Sequence, residues 1–349
     1  MHFLPAALER LGADGSAVGR AVVVSVWGSA PQPPGASLLA TAGGRMEGSV
    51  SGGCVEAAVV EEIGAAIARG TPRVVEYGIT DDAAWSVGLA CGGRLRVLVE
   101  PSVPRPLVAA LAAGHAAVWA RLLDDHPEAR AVVLTDDGKV DASGWPPDLG
   151  GTLDRVVNAA RRALTSGASD VLTLATAAGT AEVFLEAHPR PPTLIIFGGV
   201  HISMALVPLA RTLGYRTVVA DAREAFLTRE RFPDADLLVH GWPEQAFAEV
   251  PIDASTAVCV LTHDPKLDDP ALAIALRSSA FYVGALGSRK TQAARAARLR
   301  ERGLTESECR RLHGPIGLDL GGRAPEEIAL SILAEITATR RGRAGPSES

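Results

Sequence analysis

The stretch Gly48-Ser49-Val50-Ser51-Gly52-Gly53-Cys54-Val55-Glu56 sets one thiol among glycines and serines, and an Ala/Val-rich helical pattern starts directly after it. Paired glycines reach positive φ and let backbone approach a ligand closely. Amide N–H groups of Ser51, Gly52 and Gly53 at a helix start would face an anion, which the macrodipole favours. The same place favours the thiolate of a cysteine, so Cys54 reads as a soft nucleophile or metal ligand beside an anion cradle. A glycine turn around a buried cysteine is the alternative. A second loop, Gly88-Leu89-Ala90-Cys91-Gly92-Gly93, repeats the pattern. Two such loops suggest Cys54 and Cys91 converging on one pocket, with Gly92 and Gly93 giving backbone access, against the option of two structural turns. Zinc is disfavoured, because no third and fourth ligands stand nearby.

The second half carries different chemistry. After the apolar run Thr193–Phe197 come Gly198-Gly199-Val200-His201, a helical pattern, a strand pattern and then Asp221. An acidic residue about twenty positions past a glycine turn is how dinucleotide folds hold a ribose. At the G-x-G-x-x-G spacing, however, the chain has Gly198, Val200 and Ser203. Val200 replaces the glycine that lets a pyrophosphate approach, which argues against NAD(P) or another nucleotide in the usual mode. His263 and Asp264 follow a strand pattern at the end where open parallel sheets gather ligands; His263 reads as a base, a ligand or a loop organiser. Gly287, Ser288, Arg289 and Lys290 open an Arg/Ala-rich helix and form a phosphate site or plain capping.

The elements that must position these residues alternate along the chain. Helical patterns cover 3–12, 55–69, 107–113 and 153–164; strand patterns cover 21–26, 37–41, 45–47, 74–76, 95–100, 131–135 and 171–174. The region 119–185 carries modest signals and is expected to complete the first domain's sheet. Pro101-Ser102-Val103-Pro104-Arg105-Pro106 reads as a linker-like edge. Pro189, Pro191 and Pro192 mark the change to a β-α-β alternation. The expected fold class is α/β, with an N-terminal mixed α/β domain over 1–188 and a Rossmann-like, doubly wound parallel sheet over 189–341. A polar tail, 342–349, is expected to be disordered.

Bulk properties bound the function. The 349 residues are 47% hydrophobic with formal charge −6, which gives no electrostatic case for nucleic acid or an anionic membrane. No apolar run approaches the ~18 residues of a membrane span, and the start lacks a signal-peptide pattern. Four widely spaced cysteines without a CxxC suggest reduced thiols and a cytoplasmic setting.

Taken together, these motifs resemble the XdhC/CoxI family of xanthine dehydrogenase accessory factors, over roughly residues 5–341. The likeness rests on Gly28-Ser29-Ala30-Pro31 with Pro34-Gly35, Gly48–Glu56, Gly88–Gly93, Pro191–Ser203, Thr262-His263-Asp264, Tyr282–Arg289, Gly314–Asp319 and Pro325–Ser331. It implies a maturation factor, more a chaperone than a turnover enzyme. Such a factor binds the molybdenum cofactor (molybdopterin), works with a cysteine desulfurase on its sulfuration, and delivers it to a molybdenum hydroxylase of the xanthine or CO dehydrogenase type. Cys54 and Cys91 would then serve the thiophilic metal, and the glycine amides with Arg289 the phosphate; a homodimer is the expected assembly. The family's Gly-x-Gly-His turn is Gly198-Gly199-Val200-His201 here, and its Thr before the last helix is Ala324. Two other classes remain open on the residues alone. One is an NAD(P)-dependent oxidoreductase; the other is a thiol-redox or metal-hydrolase module that pairs Cys54 with Cys91 or holds a metal at His263 and Asp264.

Overall fold

The computed structural model describes residues 3–28, 32–78, 93–177 and 179–343, and the chain divides into two units, Met1–Arg190 and Pro191–Ser349. Cys91 and Gly92 lie outside the described residues, as does the tail beyond 343.

The first unit runs α1 (Phe3–Gly12), β1 (Val18–Trp27), β2 (Ser37–Thr41), β3 (Met46–Gly48), α2 (Glu56–Arg69), β4 (Arg73–Tyr77), β5 (Arg94–Glu100) and α3 (Arg105–Ala112). It continues with β6 (Ala117–Leu122), β7 (Ala131–Thr135), β8 (Val140–Asp141), α4 (Leu153–Ser166), β9 (Asp170–Thr176) and β10 (Gly179–His188). These strands build two antiparallel sheets, ordered β3-β2-β1-β5-β4 and β8-β7-β6-β10-β9. The region 119–185 therefore does not complete the first sheet. β6 is buried along its whole length and pairs with β7 and β10 instead, so a second sheet forms on its own. Helix α2 covers one sheet through Val59, Ile63 and Ala66; α4 covers the other through Val156, Ala160 and Ala163. The inner faces meet at Val22, Val24, Leu98 and Phe184. An ionic chain also lies between them: Arg20 donates to Glu186 at 2.9 Å through both terminal nitrogens, and Arg20 and Arg121 each pair with Glu100. The Pro101–Pro106 stretch lies inside this unit and leads into α3.

The second unit runs β11 (Thr193–Phe197), α5 (His201–Thr212), β12 (Arg216–Asp221), β13 (Leu237–His240), α6 (Pro243–Glu249), β14 (Thr256–Val260) and α7 (Pro265–Arg277). Then come β15 (Tyr282–Ala285), α8 (Arg289–Glu301), α9 (Glu306–Cys309), β16 (Leu312–His313) and α10 (Pro325–Arg340). The strands are parallel in the order β13-β12-β11-β14-β15-β16. That is the doubly wound order with its switch point between β11 and β14. Strands buried on both faces need continuous apolar runs, and Leu194–Phe197 and Ala257–Val260 supply them. One face packs on α6 and α7, the other on α5 and α10. Among the described residues no helix is long and apolar enough to cross a membrane.

Candidate functional site

Cys54 stands exposed, one residue before α2 reaches its N-cap at Val55. Its loop depends on glycine: Gly48, Gly52 and Gly53 have φ of 90°, 87° and 116°. A Cβ on Gly48 would lie 2.2 Å from the Ser37 carbonyl oxygen. The amides of this loop do not wait for an external anion, as the sequence suggests. They converge on Glu56, the first residue of α2. Its Oε1 accepts from Ser49 Oγ at 2.6 Å, Val50 N at 3.2 Å, Ser51 N at 2.9 Å and Gly52 N at 3.0 Å. Its Oε2 accepts from the Ser51 hydroxyl, from Gly53 N at 2.8 Å and from Val55 N at 3.2 Å.

A tethered carboxylate in the first helical turn gains from the macrodipole and needs no binding entropy, so it takes the cradle. Burial alone would raise the Glu56 carboxyl, but the bonds from Ser49, Ser51 and Gly53 hold it well below the usual carboxylate range. Ser51 is buried and its Oγ also accepts from Cys54 N and Val55 N at 3.0 Å each. What the loop leaves outward is the Cys54 side chain. Glycine-rich anion loops are easy to read from sequence; the internal ligand is not, although an acidic residue directly after the glycines is its signal.

The switch point of the second unit is likewise occupied from within. Asp221, fully buried at the end of β12, accepts from Gly199 N at 2.7 Å and from Arg223 N, Nε and Nη2 at 2.8–2.9 Å. Burial raises its carboxyl, yet Arg223 and the two amides bring it below its ordinary value. Both Asp221 oxygens are thus engaged where a ribose would need one. The Arg223 guanidinium stacks 4.0 Å from the Phe226 ring centre, and Arg231 Nη2 donates to the Gly199 carbonyl at 2.8 Å. A Cβ on Gly199 would lie 2.3 Å from the Phe226 carbonyl oxygen. The 223–231 segment closes on the glycine turn, so neither Gly198 nor Gly199 offers the open amides of a dinucleotide site. Val200, at the N-cap of α5, packs against the apolar cluster, and His201 is exposed as the first residue of that helix.

At the neighbouring strand end, His263 is the one non-glycine residue at positive φ (66°) among the described residues. It and Asp264 are exposed, and Asp264 caps α7 by accepting from Lys266 N at 2.9 Å. Left-handed backbone at a non-glycine residue costs on the order of 1–3 kcal/mol and persists only where the surroundings enforce it. Here the enforcing groups lie beneath. Thr262 donates to the buried Asp268, which pairs with the buried Arg295 at 3.0 Å. Arg295 Nη2 also donates to Leu286 O at 3.0 Å, and Gln292 Nε2 to Ala285 O at 3.1 Å. This layer fastens the Thr262–Asp264 loop to the Leu286-Gly287 turn. Beyond it Gly287 has φ 136°, Ser288 caps α8, and Ser288 with Arg289 and Lys290 is exposed. In the sequence Asp268 stands out only for its charge, and Gln292 and Arg295 read as solvated helix residues. In the first unit, Gly93 is buried; the expected meeting of Cys54 with Cys91 involves a residue outside those described. No group of three or more His, Cys, Asp or Glu among the described residues is arranged to hold a metal.

A two-sheet unit that displays a thiol on a glycine loop, followed in the chain by a Rossmann-ordered unit, defines a class of two-part α/β proteins, and known proteins share it. Residues 194–336 match the model of the XdhC Rossmann domain, and residues 11–78 that of the XdhC and CoxI family. A protein described as a probable xanthine dehydrogenase subunit, from Bacillus subtilis (strain 168), is 30% identical over 329 residues, 92% of each chain. The molybdenum cofactor insertion chaperone PaoD of Escherichia coli (strain K12) is 28% identical over 321 residues, covering 91% of this chain and 82% of PaoD. A crystal structure described as a xanthine dehydrogenase from Bacillus halodurans aligns with TM-score 0.76 and 26% identity over 99% of this chain and 97% of that one. The chain belongs to the XdhC and CoxI family.

Proposed function

We propose that this protein is a maturation factor that carries the molybdenum cofactor to a xanthine-dehydrogenase-type molybdoenzyme. The observation that supports this most is the exposed Cys54 thiol, held outward on a turn whose amides and hydroxyls are engaged within the turn, chiefly by Glu56. A soft thiol suits a thiophilic metal. The cofactor would bring a molybdenum–dithiolene centre and a phosphate. The thiol fits the first; the second unit, taken by itself, offers exposed Ser288, Arg289 and Lys290 at the start of α8 as groups that suit a phosphate. The Ser51–Gly53 amides do not fit a phosphate, because Glu56 fills them.

In this reading Cys54, with Cys91 as its candidate partner, holds the metal end, and sulfuration with a cysteine desulfurase belongs to the same hand-over. In the second unit taken by itself, exposed His263 and Asp264 are the candidate cargo contacts. The likeness to PaoD along nine-tenths of the chain supports insertion over an NAD(P)-dependent reaction, for which the engaged Asp221 leaves no ribose acceptor. The test is co-expression with molybdopterin biosynthesis, followed by fluorescence of the oxidised pterin released from purified protein. Wild-type protein is expected to carry pterin, and Cys54→Ser to carry several-fold less with unchanged thermal unfolding. Equal loading of the two would remove Cys54 from the reading.

A further inference from the structure

A cavity of about 300 Å³ opens within the first unit, a volume at the lower end of small-molecule sites. None of residues 48–56 lines it. Five prolines do: Pro72, Pro101, Pro104, Pro106 and Pro127. Proline has no amide N–H, so these rings give rigid apolar walls and no backbone donors. The polar part of the lining mixes charges and hydroxyls, with exposed Arg105 and Asp141 of opposite sign, and two of its donors stand apart. Trp119 and Arg121, two residues apart on β6, point to the same side of their sheet and both line the cavity. They are 5% and 3% exposed, yet Trp119 Nε1 and Arg121 Nη2 have no hydrogen-bond partner among the described residues. Buried donors are rarely left unpaired, because the lost hydration is not replaced. Glu100, a buried acceptor on the same lining, is already committed to Arg20 and Arg121.

We propose that this cavity is a binding site for a small ring-bearing molecule whose neutral carbonyl oxygen supplies the missing acceptor. A flat ring stacks against the proline walls, and the carbonyl turns toward the indole and guanidinium N–H groups. Neutrality follows from the charges behind the wall. Arg20 and Arg121 are balanced by Glu100 and Glu186 within one buried chain, and on the lining Arg105 is offset by Asp141, so a further anion would enter without a spare counter-charge. A cyclic amide or ring carboxamide meets all three conditions. The site is independent of Cys54 and of the cargo reading.

The test uses the full chain labelled with 15N at tryptophan. The Trp119 indole N–H signal is assigned by its loss in Trp119→Phe, a variant that keeps an aromatic side chain. Benzamide, benzoate and toluene serve as probes of one size: a neutral acceptor, a charged acceptor and no acceptor. Benzamide is expected to move the Trp119 signal saturably, benzoate to bind more weakly and toluene to leave the signal in place. Trp119→Phe, followed by benzamide-observed saturation transfer, is expected to weaken benzamide about fivefold, the equivalent of one neutral hydrogen bond. A Trp119 signal unmoved by benzamide, or moved as much by toluene, overturns the proposal and leaves the donors to resident water. Tighter binding of benzoate overturns the neutral-acceptor assignment.

Discussion

Glu56→Ala is the most direct perturbation of the Cys54 loop, and its cost can be worked from the hydrogen bonds. Without the carboxylate, Gly52 N keeps Ser49 Oγ at 2.8 Å and Val55 N keeps Ser51 Oγ at 3.0 Å. Val50 N, Ser51 N and the Ser51 hydroxyl lose their acceptor, and both residues are 1% exposed. Leaving a buried donor unmatched costs about 1–3 kcal/mol, so three of them amount to about 3–9 kcal/mol if the loop stays in place. The loop has a cheaper exit, since Gly52, Gly53 and Cys54 already face solvent: it opens and hydrates those groups. The expected outcome is a locally melted 49–55 segment on a folded first unit. Hydrogen exchange read by mass spectrometry on the peptide spanning 46–58 checks this. An opening free energy reduced by about 3 kcal/mol corresponds to exchange faster by roughly a hundredfold, while strands β1 and β5 keep their protection. Formate at high concentration should restore part of the protection in Glu56→Ala, because the emptied amides form an anion cradle. Unchanged exchange of 50–53 in Glu56→Ala would refute the argument that this carboxylate organises the loop.

Other consequences are as specific. Gly199→Ala is expected to destabilise the second unit by several kcal/mol, because its Cβ would meet the Phe226 carbonyl oxygen at 2.3 Å; urea unfolding measures it, and a loss under about 1 kcal/mol would contradict the close approach. His263→Gly should raise stability by about 1 kcal/mol by relieving the backbone at φ 66°, with a higher thermal midpoint as readout. Acid should loosen the first unit: burial opposes ionisation of Glu186, but Arg20 and His188 bring its carboxyl down to about 2 from 4.5. A folded-state value below the unfolded one gives stability that is present above the ordinary carboxylate range and lost as pH falls through it toward 2. Circular dichroism between pH 5 and 2 should show that loss, and Arg20→Met should blunt the slope. With a thiol reagent, Cys54 should react in the native protein, whereas Cys259, fully buried with its thiol pushed up by desolvation, should react only on unfolding.

The second unit was the easier to read. Thr193–Phe197 and Ala257–Val260 are unbroken apolar runs because the sheet is covered on both faces, and a run of that kind has few alternatives. The first unit hid more. β6 carries Trp119 and Arg121, and β10 carries Glu182 and Glu186; charged residues inside a strand argue against burial until their partners are seen. Arg20 is fully buried only because Glu100 and Glu186 reach it from strands 80 and 166 residues away in sequence, a distance over which no local pattern carries information. The glycine loops were legible as loops. Their internal ligands were not: whether an acidic side chain points into a cradle or away from it depends on a single rotamer.

That rotamer decides what the two loops can do. At two of the places where the sequence advertises open amides, the chain inserts its own carboxylate, Glu56 at the start of α2 and Asp221 beside Gly199. An intramolecular carboxylate competes at high effective concentration, so a phosphate would have to displace it to bind there. Neither loop therefore needs cargo in order to fold. On the proposed reading, contact with a cargo would fall instead to exposed side chains on prefolded turns, Cys54 in the first unit and, in the second unit taken by itself, His263 and Arg289. Binding by such groups orders little additional chain and forfeits little affinity to ordering, and release requires no loop to refold. A carrier that must surrender its load to another protein is served by that arrangement, whereas an enzyme holding a resident nucleotide is not. Cargo binding should accordingly raise the thermal midpoint only by the mass-action amount set by its dissociation constant, with exchange at 49–55 the same in loaded and empty protein. Strong additional protection of 49–55 on loading would mean that the loop closes around its cargo, and that Glu56 gives way to it.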